Sequence, residues 1–256
     1  MTDESLILTI RPHTGASGDM LLAGLATLNM DAAGLAPDSP QADEWLAGLC
    51  RKIMPDLAGT VVIRHRAVNH VAGWHAVVNL PHEHEHRNLA DILGIIDASA
   101  MAEAPKGWAK AAFEVLAAAE AAVHGVDIEQ VHFHEAGALD SVLDVCLVCE
   151  LFALLSPSTC VCGPLPMADG EINCAHGLIP APAPAVLRLL ADLPVRPFEG
   201  SIDAGELVTP TAAALLRALP LEFGPWPAMR IRRTAIIYGQ KYFHGAANGL
   251  IFALGA

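Results

Sequence analysis

The stretch that decides the fold is Leu6–Met30, LILTIRPHTGASGDMLLAGLATLNM. Leu6 to Ile10 is an apolar run of strand length, rich enough in Ile and Leu for a buried strand. His13 to Asp19 then reads as a Gly/Ser turn, and Met20 to Met30 as a helix with Leu21, Leu22, Leu25 and Leu28 at helical spacing. Ala33 to Pro40 is a loop, and Ala42 to Ile53 a second helix with Trp45, Leu46, Leu49 and Ile53 on one face. Val61 to Leu80 changes period. Val61, Ile63 and Val68 read as a strand, Val71-Ala72-Gly73 as a turn and Trp74 to Leu80 as a second strand. Leu89 to Ile96 and Trp108 to Val123 read as helices. That order predicts an α+β layer with antiparallel pairing.

From Val131 the pattern restarts. Val131 to His134 is a short strand that leads through Gly137 into a helix over Ser141 to Leu155, and Thr159 to Leu165 is a further strand. Pro184 opens a helix over Ala185 to Leu190. Thr209-Pro210 opens another over Ala212 to Leu219, with Thr as N-cap and Pro at the first helical position. Arg230 to Tyr238 and Leu250 to Leu254 read as closing strands. The expectation is α+β, with mixed sheet and packed helices, as one unit or as two lobes over 1–127 and 128–256.

Composition narrows the function. The 256 residues carry 15 Lys+Arg against 28 Asp+Glu, a net charge of −13, with 12 His besides. No long Lys/Arg cluster occurs, which argues against nucleic acid as the partner and favours cationic ligands, metal ions included. Although mean hydropathy is +0.41, no segment approaches the roughly 20 apolar residues of a membrane span. The acidic N-terminus does not read as a secretory signal. The expected location is the cytoplasm, where the six Cys stay reduced.

The sharpest constellation is Val131-His132-Phe133-His134-Glu135-Ala136-Gly137-Ala138-Leu139-Asp140-Ser141-Val142-Leu143-Asp144. Residues two apart share a strand face, so His132 and His134 point the same way. Asp140 and Asp144, four apart, lie one above the other on a helix. Imidazoles and carboxylates converging at a strand–turn–helix junction suit Ni, Fe, Mn or Zn. The competing reading is structural: Ser141-x-x-Asp144 is also a capping box, with Asp144 closing the helix start. In Pro81–His86, His82, His84 and His86 alternate with Glu, a composition that holds metal loosely and passes it on. The turn Thr14–Asp19 has too few glycines and no Lys for a phosphate-binding loop. It reads as a capped helix start, or presents Asp19 as a metal or substrate carboxylate. Five of the six Cys fall between Cys146 and Cys174 and read mainly as small core residues. His176, in Cys174-Ala175-His176-Gly177, is a weak candidate by itself.

Taken together, these motifs resemble a known family. Gly15-x-Ser17-Gly18-Asp19-Met20, the His/Glu tract with Leu89-Ala90-Asp91-Ile92, and His132-Phe133-His134-Glu135-x-Gly137-x-x-Asp140-Ser141-x-x-Asp144 occur in order. Ala175-His176-Gly177-x-x-Pro180-x-Pro182-Ala183-Pro184-Ala185 and Gly205-Glu206-Leu207-Val208-Thr209-Pro210-Thr211 follow. The whole resembles the LarC family of nickel-insertion proteins. The resemblance implies a cyclometallase that places Ni²⁺ into pyridinium-3,5-bisthiocarboxylic acid mononucleotide, a pincer nucleotide precursor, with CTP used in the process. It implies His132, His134, Glu135, Asp140 and Asp144 as the primary metal site, Asp19 and His176 as neighbours, and His82, His84 and His86 as recruiting ligands. Ser17, Gly18, Thr209 and Thr211 fall to substrate binding. Arg11 stands where the family has an acidic residue, and Ile237-Tyr238-Gly239-Gln240-Lys241 where it has Gly-Tyr-Gly-Ala-Gly. The family's CTP-binding C-terminal domain has no counterpart in the sequence, so CTP–Mg²⁺ is expected on a partner domain or chain, with a homo-oligomer also open. Two rival readings are a non-catalytic metallochaperone or metal store, and a hydrolase dependent on a divalent metal.

Overall fold

The computed structural model describes residues 5–80, 87–133, 137–174, 176–199, 205–243 and 246–256. The elements in the first half are β1 (Ile7–Pro12), α1 (Gly18–Ala32), α2 (Pro40–Ile53), β2 (Val61–Val68), β3 (Val71–Val78), β4 (Arg87–Asn88), α3 (Leu89–Ala98) and α4 (Glu103–His124). Then come β5 (His132–Phe133), α5 (Leu139–Leu155), β6 (Thr159–Cys162), β7 (Leu165–Met167), β8 (Gly170–Cys174), β9 (Gly177–Ala181) and α6 (Pro184–Leu189). The chain closes with β10 (Val195–Pro197), α7 (Pro210–Ala218), β11 (Glu222–Phe223), β12 (Ile231–Ile237) and β13 (Leu250–Gly255). The fold is α+β. One seven-stranded sheet runs β11-β6-β1-β13-β12-β3-β2. Strands β13 and β2 run against the other five.

Strand β1 lies between β6 and β13 and is buried along nearly its whole length, which explains the unbroken apolar run at Leu8 and Ile10. Helix α1 lies on the sheet over β3, β12 and β13 and is covered in turn by α5. A helix between two layers must be apolar all round, and its residues from Met20 to Met30 are all buried. Gly24 sets the approach: a Cβ there would come within 2.1 Å of the Phe252 ring on β13. Helix α4 packs outside α5, and α7 against α4. One apolar core joins these layers.

Several expectations shift. The β2–β3 turn sits at Asn69-His70, both left-handed (φ 50° and 64°), rather than at Val71–Gly73; two such residues make the tight turn that matches strand twist. The strand expected over Thr159–Leu165 is two, β6 and β7, parted by Gly163-Pro164. The hairpin β8–β9, with three prolines in or beside its second strand, was invisible to alternation. Helix α5 starts at Leu139 with Ala138 as N-cap, so Asp144 lies inside the helix and the capping-box reading of Ser141-x-x-Asp144 fails. Thr209 does cap α7, accepting a hydrogen bond from the Ala212 amide at 3.3 Å. Among the described residues no helix is long and apolar enough to cross a membrane.

Candidate functional site

The turn after β1 is built around Gly15, at φ +118°, where a Cβ would lie 1.7 Å from the Leu207 carbonyl oxygen. Only glycine lets the two backbones meet there. The Ala16 amide donates to Leu207 O and the Thr209 amide to Ala16 O, both at 3.0 Å, so the start of α1 is tied to the start of α7. Ser17 is the N-cap residue of α1 but caps nothing with its side chain: its hydroxyl donates to the Asp19 carboxylate instead.

The start of α5 joins them. A Cβ on Gly18 would stand 3.8 Å from Thr211 Cβ and 3.9 Å from both Cβ and Oδ2 of Asp144. Three helix N-termini therefore converge, with Asp19 in the first turn of α1, Asp140 in the first turn of α5 and Asp144 one turn further in. Helix dipoles favour carboxylates there. Asp144 is the exception in its surroundings. Its Oδ1 is sealed from solvent and has no hydrogen-bond partner among the described residues. Burial, then the negative charges of Asp19 and Asp140, push its carboxyl well above the usual range. The ionised form of Asp144 is therefore disfavoured where it stands.

The other candidates are spread out. His132 is exposed on β5, which pairs with β4 through Asn88, while Phe133 turns into the core. His134 and Glu135 lie outside the described residues, as do His82, His84 and His86. His176 meets a different set: Cys174 Sγ lies 3.8 Å from its Nδ1, and the His124 ring at the end of α4 is 5.0 Å away between centroids. His124 in turn faces Glu120 at 3.5 Å. His124 and Glu120 escaped the sequence reading because α4 looks there like an ordinary solvated helix end. Among the described residues no three His, Cys, Asp or Glu side chains form a group able to hold a metal. Five cysteines are buried in the core. Burial pushes the thiols of Cys50 up to about 11 and of Cys146 and Cys162 up to about 12, which suits packing rather than ligation. Arg11 is absorbed by structure. It donates to Thr9 Oγ1 and to the carbonyls of Gly224 and Pro225, and lies over Trp226.

Beside Asp19 opens a cavity of about 280 Å³. It lies beyond the carboxyl ends of β1 and β12, where open α/β sheets commonly bind ligands. Ser17, Asp19 and Thr209 line it, together with Thr14, Tyr238 and Lys241, which the motifs did not single out as site residues.

A profile of the family described as "Nickel insertion protein" matches residues 8–255. Two similar relatives carry the name "Pyridinium-3,5-bisthiocarboxylic acid mononucleotide nickel insertion protein". The one from Staphylococcus epidermidis is 33% identical over 234 residues, covering 90% of this chain and 55% of the relative. That from Desulfitobacterium hafniense is 37% identical over 230 residues, covering 89% and 53%. The chain thus spans a little over half the length of the curated relatives it matches. No solved structure matches it.

Proposed function

This chain belongs to the nickel insertion protein family, and on that premise we propose that it binds Ni²⁺ as a substrate for insertion into pyridinium-3,5-bisthiocarboxylic acid mononucleotide, in the cytoplasm. The observation that carries the reading is Asp144, whose buried Oδ1 has no hydrogen-bond partner among the described residues, beside Asp19 and Asp140 at three converging helix starts. A divalent cation turns that costly arrangement into a favourable one, since it supplies the missing positive charge. His132, His134 and Glu135 complete the proposed primary site. His176 is a neighbouring ligand, and His82, His84 and His86 recruit the ion. Joining nickel to a ring carbon releases that carbon's proton, and a carboxylate beside the metal is a suitable acceptor. CTP–Mg²⁺, a partner domain or chain that holds it, and a homo-oligomer belong to the same proposal.

The test is metallation of the synthetic mononucleotide by the purified chain, alone and with the remaining part of a full-length relative supplied in trans. Formation of the nickel adduct that is lost in Asp144→Asn is the expected result. Tight nickel binding with no adduct under either condition would reduce the role to a metallochaperone.

A further inference from the structure

We propose that the cavity beside Asp19 holds the pyridinium mononucleotide, its ring in the buried base and its phosphate at the mouth on Lys241. This rests on the nickel-insertion reading and assigns a place to its organic substrate. The base is formed by Met20, Leu207 and the ring of Tyr238, all buried. The Tyr238 hydroxyl is already spent on the Val71 carbonyl at 3.1 Å, so tyrosine presents its ring to the cavity. An aromatic face and a soft thioether suit a flat, sulfur-bearing pyridinium ring. Thr14, buried beside them, accepts from the Gly249 amide at 3.1 Å. Its own hydroxyl proton has no acceptor among the described residues and remains for a ligand.

Asp19 lies on the wall toward Asp140 and Asp144, so a ring near it faces the proposed nickel site. Lys241, exposed at the mouth, is the single cation among the described lining residues, against Asp19 and Glu206. Its ammonium donates to the Glu206 carbonyl at 3.1 Å, which fixes it at the rim with further N–H groups to give. A single ammonium, set among the carboxylates of Asp19 and Glu206, fits a ligand with one phosphate. It does not fit a triphosphate. The volume of about 280 Å³ falls just under the roughly 300–1,000 Å³ of small-molecule sites, which favours one phosphate over three.

The rim is itself preorganised. Asn248 accepts from the Phe243 amide at 2.9 Å and donates to the carbonyls of Phe243 and Ala246 at 2.8 and 3.0 Å. Asn248 is thereby tied to Phe243 and Ala246 on the described part of the β12–β13 connection. The neighbouring stretch Ile237-Tyr238-Gly239-Gln240-Lys241, where the sequence departs from the glycine-rich stretch of the family it resembles, supplies Tyr238, Gly239, Gln240 and Lys241 to the lining.

Calorimetric titration with nicotinic acid mononucleotide, a pyridinium carboxylate carrying one phosphate, tests the assignment. The parent should bind it at least about tenfold more tightly than ribose 5-phosphate, which lacks the ring, and more tightly than CTP–Mg²⁺. Lys241→Ala should weaken it about tenfold, the effect of one lost charge-assisted hydrogen bond, while Lys241→Arg stays near the parent. Equal affinity for ribose 5-phosphate, or no effect of Lys241→Ala, would overturn the proposal. Nickel titration of the parent, run separately, distinguishes the two readings. Mononucleotide binding without nickel binding sinks the metal site alone, and the reverse sinks the cavity assignment alone.

Discussion

At the scale of single residues the protein keeps an unfavourable group at the site proposed for nickel. Asp144 has its ionised form opposed by burial first and by Asp19 and Asp140 next. A carboxyl whose folded pKa is raised is least costly below its ordinary value of about 3.9. Its cost grows by ~1.4 kcal/mol per pH unit until the raised value is reached. The metal-free Asp144→Asn variant, neutral at every pH, should therefore melt with the parent near pH 4 and progressively above it as pH rises to neutrality. A thermal melt series across that range checks this, and an Asn variant less stable than the parent at pH 7 would contradict it. Gly15 is the converse case, a residue fixed by what it lacks. Gly15→Ala would force a Cβ onto the Leu207 carbonyl in a left-handed backbone, and a loss of at least about 2 kcal/mol is expected in the urea midpoint.

At the scale of elements, the site is made where three helices begin. Thr209→Ala should cost about 1 kcal/mol through the lost cap of α7. A smaller loss, under about 0.3 kcal/mol by denaturant titration, would mean the cap does not hold that helix start. The elements themselves were largely legible: β1, α1, α2 and β13 announce themselves by apolar period, and Thr209-Pro210 by cap chemistry. What escaped was set by backbone conformation or by distance along the chain. The Asn69-His70 turn depends on two left-handed residues that leave no apolar signature, and the prolines in and after β9 hid a strand. The closeness of Asp19 to Asp144 arises from α5 lying across α1. No spacing within either segment encodes it, and only the family resemblance put both residues on one list. The same limit explains why His176 was expected near the carboxylates, while its described neighbours are Cys174 and His124. For the His82–His86 tract, which lies outside the described residues, the expectation concerns rate. Replacing its three histidines with Ala should slow nickel loading under limiting metal without changing the tightest affinity. Identical loading rates would leave the tract no role in recruitment.

At the scale of the whole molecule, a net charge of −13 surrounds a site proposed for a divalent cation. Such a field raises the encounter rate with cations and is screened as the Debye length falls from roughly 30 Å at 0.01 M to roughly 8 Å at 0.15 M salt. The association rate of Ni²⁺ should fall several-fold over that range in stopped flow, and a salt-independent rate would exclude steering. The central claim is the proposal that Asp144, beside Asp19 and Asp140, is a nickel ligand. Calorimetric titration of Ni²⁺ at neutral pH into the parent and into Asp144→Asn tests it most directly. Changes to groups that only orient a ligand already cost ~10- to 100-fold in metal affinity. Loss of a direct carboxylate should cost at least as much in a variant whose circular dichroism matches the parent. Equal nickel affinity in the two folded proteins would contradict the account.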